Sequence, residues 1–179
     1  MIKMKGDKKF LNVFIWIFAI SIILGLFLEI KLTMVILFSL LLIAGIFIYK
    51  EKIGQELIVA FLIALILTSY YIYQYIGGNV LLGKINLFPL ISWTFGLVLL
   101  KEIYERTKIK NKLFFVSGFY VALLFLLEYV GYYLLKIRLN TDFPSLFGLG
   151  IIHAPIGMKI FYLFAGPVYL IITDYLKLK

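Results

Sequence analysis

Six apolar stretches, each of roughly 16–25 residues and separated by short polar junctions, leave this chain few folds to adopt. They run over residues 10–28, 32–49, 57–76, 85–100, 113–135 and 151–176. At about 1.5 Å rise per residue, a helix needs about 20 apolar residues to cross a hydrocarbon core of about 30 Å. In lipid the backbone N–H and C=O groups of such a run must be satisfied within the run itself, so each run is read as a helix. The chain is 64% apolar and 15% charged, against about 45–50% and about 25% for a soluble domain. A soluble fold of 179 residues leaves too much of its surface outside to hide that apolar content. The expectation is an all-α, polytopic integral membrane protein: a six-transmembrane-helix bundle in which residues 1–179 form a single transmembrane domain.

Charge sets the orientation. Of the 18 Lys and Arg residues, 13 fall at the two termini, at 50–52 and at 101–112. Lys31, Lys84, Lys136 and Arg138 fall at the opposite ends of the runs. The positive-inside rule makes the first set cytoplasmic, and an even number of spans puts both termini on that same side. The expected location is the cell membrane, multi-pass, with both termini cytoplasmic. The net charge of +9 is then matched by anionic lipid head groups, and no nucleic-acid partner is expected. The basic start followed by an apolar run has the outline of a signal peptide. However, the run over 10–28 is too long for an h-region and no small-x-small cleavage site follows it, so it is read as a retained first span. The chain has no cysteine, which excludes disulfides and thiolate chemistry.

Ionisable residues within the apolar runs are the candidates for function, because an ionised group at that depth costs several kcal/mol, about 2.5–3.5 on insertion scales. Glu128 lies about seven residues before the outer end of the fifth run, and Lys159 lies at a similar depth in the sixth. Ser117, Tyr120, Leu124, Glu128, Gly131 and Tyr132 share one helical face, as do Lys159, Tyr162, Gly166, Tyr169 and Thr173. The two stripes are expected to face each other or a shared cavity, with Glu128 and Lys159 forming an internal ion pair. His153 is the only histidine, so a multi-histidine metal site is excluded, and neither a metal nor a cofactor is expected. The loop 136–150 mixes Asn140 and Asp142 with Leu139, Phe143, Leu146, Phe147 and Leu149, and reads as a lid that folds inward.

Other features bear on packing. Pro89, and Gly166 with Pro167, are read as helix breaks that widen a cavity. Asn86, Pro89, Trp93 and Gly96 share a face of the fourth run. Ala60 with Ala64 and Gly118 with Ala122 are small-xxx-small pairs suited to close helix approach. Tyr70, Tyr71, Tyr73 and Tyr75 are expected to mark a membrane face. The first two runs carry no ionisable residue and read as scaffold.

Two functional classes follow. In the first, the protein binds or transports a small or lipid-like ligand in an outer-leaflet pocket bounded by the last three spans and the 136–150 loop. Its ligand-binding residues are Glu128, Tyr132, Lys159, Tyr162 and Trp93, and membrane lipids are the expected partners. In the second, it is a membrane-embedded enzyme acting on a lipid or isoprenoid substrate, with Glu128, Asp142 and His153 as catalytic acid–base groups. No phosphate-binding loop, dinucleotide fingerprint, HExxH or GxSxG motif is present.

Overall fold

The computed structural model describes residues 15–176, apart from 18, 22, 25, 26, 28, 50, 72, 141 and 142. The chain is mostly helical. Five long helices are described: α1 (Ile30–Tyr49), α2 (Glu51–Tyr70), α3 (Leu87–Arg106), α4 (Lys112–Tyr129) and α5 (Ile156–Tyr175). α4 continues as a π-helical turn over Val130–Leu134. A two-residue hairpin, β1 (Leu81–Leu82) with β2 (Ile85–Asn86), precedes α3. Gly83 occupies its turn with φ 61°, a conformation that glycine adopts without Cβ strain.

Among the described residues four helices are long and apolar enough to cross a membrane: α1, α3, α4 with its π turn, and α5. That is the description the structure supports, and it is coarser than six spans. The run expected over 57–76 ends as helix at Tyr70, and its apolar helical part, Gly54–Tyr70, is shorter than the other four. Much of the run expected over 10–28 lies outside the described residues. The run expected over 85–100 is helical from Leu87 to Arg106, so Lys101 and Glu102 belong to a helix rather than to a loop.

The surface fits the apolar reading. Ile36, Leu40, Leu62, Ile66, Phe114, Leu126, Phe164 and Ile171 all point outward and are exposed. A soluble monomer rarely leaves so many large apolar groups uncovered. α4 is the barest helix, with only Val116 and Tyr120 buried over Lys112–Tyr129.

α3 is the axis of the packing, in contact with α1, α2, α4 and α5. Phe38 of α1 stacks on Phe95 of α3 with centroids 4.4 Å apart. Ala60 and Ala64 are fully buried on α2, which runs along α3, so this small-xxx-small pair works as expected. Gly118 and Ala122 do not: both are exposed, and nothing comes within 4 Å of a Cβ built on Gly118.

Neither proline opens the bundle. Pro89 sits in the first turn of α3, where its missing N–H would have had no helical acceptor, so no carbonyl is freed. Asn86 caps that helix by accepting from the Phe88 N–H at 3.2 Å. Pro167 lies inside a continuous α5. Gly166 beside it is buried against Tyr120 and Leu100, which fills space instead of widening it.

One end of the bundle carries a cap made from two chain segments. Tyr75 bridges Leu139 in antiparallel fashion. The Ile76 N–H donates to the Arg138 carbonyl at 2.8 Å, and the Asn140 N–H donates to the Gln74 carbonyl at 2.7 Å. Lys31 holds the cap from below, donating to the carbonyls of Ile76 (3.1 Å) and Gly78 (2.5 Å). Within the second segment Leu146, Ile151, Ile152 and Ala154 are buried. Of the loop residues expected to fold inward, Leu146 is buried and Leu139 half-buried, whereas Phe143, Phe147 and Leu149 are exposed, because the buried stretch begins at Ile151, after the loop.

Candidate functional site

Beneath the cap lies a cluster of aromatic side chains. Trp93 from α3 and Tyr162 from α5 meet with ring centroids 5.0 Å apart. Trp93 also meets Phe161 edge-on at 6.4 Å. The Tyr162 hydroxyl donates to the Tyr73 hydroxyl at 3.0 Å, and the Tyr120 hydroxyl donates to the Tyr162 carbonyl. Tyr73 is 1% exposed, and its ring meets Tyr71 edge-on and stacks with Tyr75. The sequence assigned Tyr73 and Tyr75 to a membrane-face belt. The chain leaves the helix at Tyr70 and turns back over the bundle, which carries Tyr73 into the core and leaves Tyr75 half-buried. Burial pushes both of these phenols upward from the ordinary tyrosine pKa, and the Glu128 charge adds to the shift.

Glu128 is half-buried on α4, one turn from Leu124 and Phe125, which pack against this cluster. Its charge acts on Tyr73, Tyr75 and Tyr162. It has no hydrogen-bond or ion-pair partner among the described residues.

Lys159 does not supply that partner. Its ammonium donates to the Pro144 carbonyl at 2.7 Å and to the Ser145 carbonyl at 3.4 Å. The expected Glu128–Lys159 ion pair is absent; the loop instead offers Lys159 the Pro144 and Ser145 carbonyls. Lys159 thus fastens the cap. The stripe on which it lies does face inward, since Lys159, Tyr162, Tyr169 and Thr173 are all buried.

Tyr132 and His153 form a separate group. Their rings stack with centroids 4.5 Å apart and 19° between planes. The Arg138 guanidinium lies 4.6 Å over the Tyr132 ring, and its Nε donates to the Tyr132 carbonyl at 3.2 Å. Burial lowers the His153 pKa, and the nearby charges of Lys159 and Arg138 lower it further. Its Nδ1 is buried without a hydrogen-bond partner among the described residues. Asp142 lies outside the described residues. Glu128 and His153 are not hydrogen-bonded to each other.

A cavity of about 180 Å³ opens beside the aromatic cluster, between α2 and α5. Ile66, Leu67, Tyr70, Gly157, Met158 and Phe161 line it. The lining expected from the sequence was Glu128, Lys159, Tyr162 and Trp93. Those rings pack against each other, and the open space lies one layer further out. Leu67 and Met158 belong both to its wall and to the packed cluster of Tyr73 and Tyr162.

At the opposite end of the bundle is an ionic group that the sequence reading missed. Lys101 is 2% exposed and contacts Asp174 at 3.0 Å and Glu105 at 3.8 Å. The Tyr104 hydroxyl donates to Asp174 at 2.5 Å, and the Lys112 ammonium sits 3.9 Å over the Tyr104 ring. Lys101, Tyr104 and Glu105 lie at i, i+3 and i+4, a spacing that would have pointed to this group had α3 been extended past Leu100.

Comparison with protein-family models, with curated proteins and with solved structures returned no match.

Proposed function

We propose that this is a six-span protein of the cell membrane with both termini cytoplasmic and the cap outside, and that it binds or transports a lipid-like ligand at the capped end. The carrying observation is the groove between α2 and α5. It is lined mainly by apolar atoms and backed by the Trp93–Tyr162–Tyr73 cluster. An apolar cavity of about 150 Å³ takes a molecule the size of benzene. A groove of about 180 Å³ therefore suits a length of hydrocarbon better than a polar solute. The cap is also consistent with an external position, since the basic residues gather at the other end of the bundle.

Two experiments test this reading. The native chain lacks cysteine, so Asn140→Cys should react with an impermeant thiol reagent in intact cells while Asn111→Cys should not. The reverse pattern would invert the orientation. Purified protein should carry co-extracted lipid that Met158→Trp, which fills the groove, reduces several-fold. Equal lipid in wild type and variant would remove the groove from the account.

A further inference from the structure

A short knuckle over 146–150, just before α5, is closed on itself but open to its surroundings. The Leu146 N–H donates to the Ile151 carbonyl and the Leu149 N–H donates to the Leu146 carbonyl, both at 2.9 Å. Leu146 and Ile151 are buried, whereas Phe147 and Leu149 between them turn outward, Phe147 being 84% exposed. Positive φ recurs here, at Phe147 (49°), Gly148 (74°), Gly150 (71°) and Ile152 (53°). Glycine adopts such angles freely, whereas a bulky residue keeps them only where its surroundings hold it. Ile152 is 1% exposed, so the core holds it. The chain gives the exposed Phe147 ring no comparable packing.

The level of the knuckle indicates what covers that ring. The Tyr133 hydroxyl donates to the Gly150 carbonyl at 3.1 Å. Tyr133 and Tyr129 meet with centroids 4.9 Å apart at the capped end of the fourth long helix, and both are exposed. Tyr70, at the capped end of α2, is exposed too. Exposed tyrosines at the ends of apolar helices mark the head-group level, with the ring in the apolar zone and the hydroxyl wet. The bond to Tyr133 puts the knuckle at that level. Ile156, Ile160 and Phe164 of α5 are exposed at spacings of four, a stripe along one side of that helix. Phe147 and Leu149 stand where the chain enters this stripe.

We infer that the 146–150 knuckle is an interfacial anchor, in which Phe147 and Leu149 insert below the head groups of the leaflet at the capped end. Its partner is the lipid surface itself. The left-handed backbone presents the Phe147 ring outward, and the closing hydrogen bonds fix the tip. Leu146 packs in the same cluster as Leu67 and Met158 of the groove wall, so the anchor ties the groove to the level of the leaflet. The inference needs only that the helices span a bilayer, and it stands apart from any ligand in the groove.

The test is spin labelling of the full chain, which has no native cysteine, in phosphatidylcholine vesicles. A nitroxide is attached in turn at Phe147→Cys, Leu149→Cys, Asn140→Cys and Phe164→Cys. Its collisions with oxygen, which concentrates in hydrocarbon, are compared with its collisions with a water-soluble nickel chelate. The oxygen-to-nickel ratio at Phe147 and Leu149 should exceed that at Asn140 on the cap several-fold and approach that at Phe164. A ratio at both knuckle sites equal to that at Asn140 would overturn the anchor and leave the groove standing. Exclusion of both reagents would overturn it as well: dipolar broadening between labels would then assign the cover to a second copy, and its absence to the chain itself. A nickel-accessible label at Phe164 would overturn the spanning reading and the anchor with it. Both knuckle residues are exposed, so neither change removes core packing.

Discussion

Gly166→Ala is the sharpest probe of how α3, α4 and α5 close on one another. A Cβ at this position would lie 2.8 Å from Cδ2 and from Cγ of Tyr120, and 2.9 Å from Cδ2 of Leu100. Contacts that short require one neighbour to move. Leu100 is 3% exposed and Tyr120 is 7% exposed, and the Tyr120 hydroxyl is tied to the Tyr162 carbonyl. Overpacking a filled core by one methyl costs about 1–3 kcal/mol. The intrinsic helix preference of alanine over glycine returns about 1 kcal/mol, so the net loss is about 0–2 kcal/mol by these figures. For a chain of this size that corresponds to a fall of up to about 8 °C in midpoint temperature. Thermal unfolding in a mild detergent, followed by near-ultraviolet circular dichroism of the tyrosines, measures it. Leu100→Ala combined with Gly166→Ala should lose less than the sum of the two single changes, because the shortened side chain makes room. A Gly166→Ala protein more stable than wild type, or strictly additive losses in the Leu100→Ala double variant, would refute the close approach of these three helices.

Three further outcomes follow from the geometry. Asp174→Asn leaves Lys101 nearly buried with only the more distant Glu105; it should cost about 1–3 kcal/mol, and adding Lys101→Met should recover part of that in the same unfolding assay. Glu128→Gln and Lys159→Met should be additive within about 0.5 kcal/mol, because the two side chains do not pair, whereas an ion pair would make the double variant better than the sum. His153 should titrate below the usual histidine value by proton magnetic resonance, since burial and then the charges of Lys159 and Arg138 favour its neutral form. The unfolded chain then binds more protons than the folded one between the two pKa values. The contribution of His153 to stability is therefore complete above about pH 6.5 and is lost as pH falls through the folded value. Arg138→Gln should raise the measured pKa.

The helical class was legible because apolar run length is a strong signal in a chain whose solvent is lipid. The run over 32–49 corresponds to α1 and the run over 113–135 to α4 with its π turn. Boundaries failed where polar residues sit inside a helix. Lys101 and Glu102 belong to α3 because Lys101 has Asp174 waiting on α5, a contact with no local sequence mark. Tyr73 failed for a related reason. Tyrosine at the end of an apolar run usually means an interfacial ring, but here the chain reverses after Tyr70 and the ring turns into the core. Among the candidate site residues, Trp93 and Tyr162 lie on inward-facing helix surfaces, and their rings meet. The pairing of Glu128 with Lys159 was a depth argument alone. Depth does not reveal that a loop carbonyl 15 residues upstream reaches the ammonium first.

The central claim is that hydrocarbon enters between α2 and α5 at the capped end. It is tested most directly by reconstituting the protein with a lipid carrying a photoactivatable group on its acyl chain, irradiating, and mapping the adducts by peptide sequencing. The account places the densest labelling at Ile66, Tyr70 and Phe161 of the groove, well above the level at Phe114 and Leu126 on the open face of α4. Met158→Trp should bring the groove down to that level. Labelling no denser in the groove than on α4 would contradict the claim.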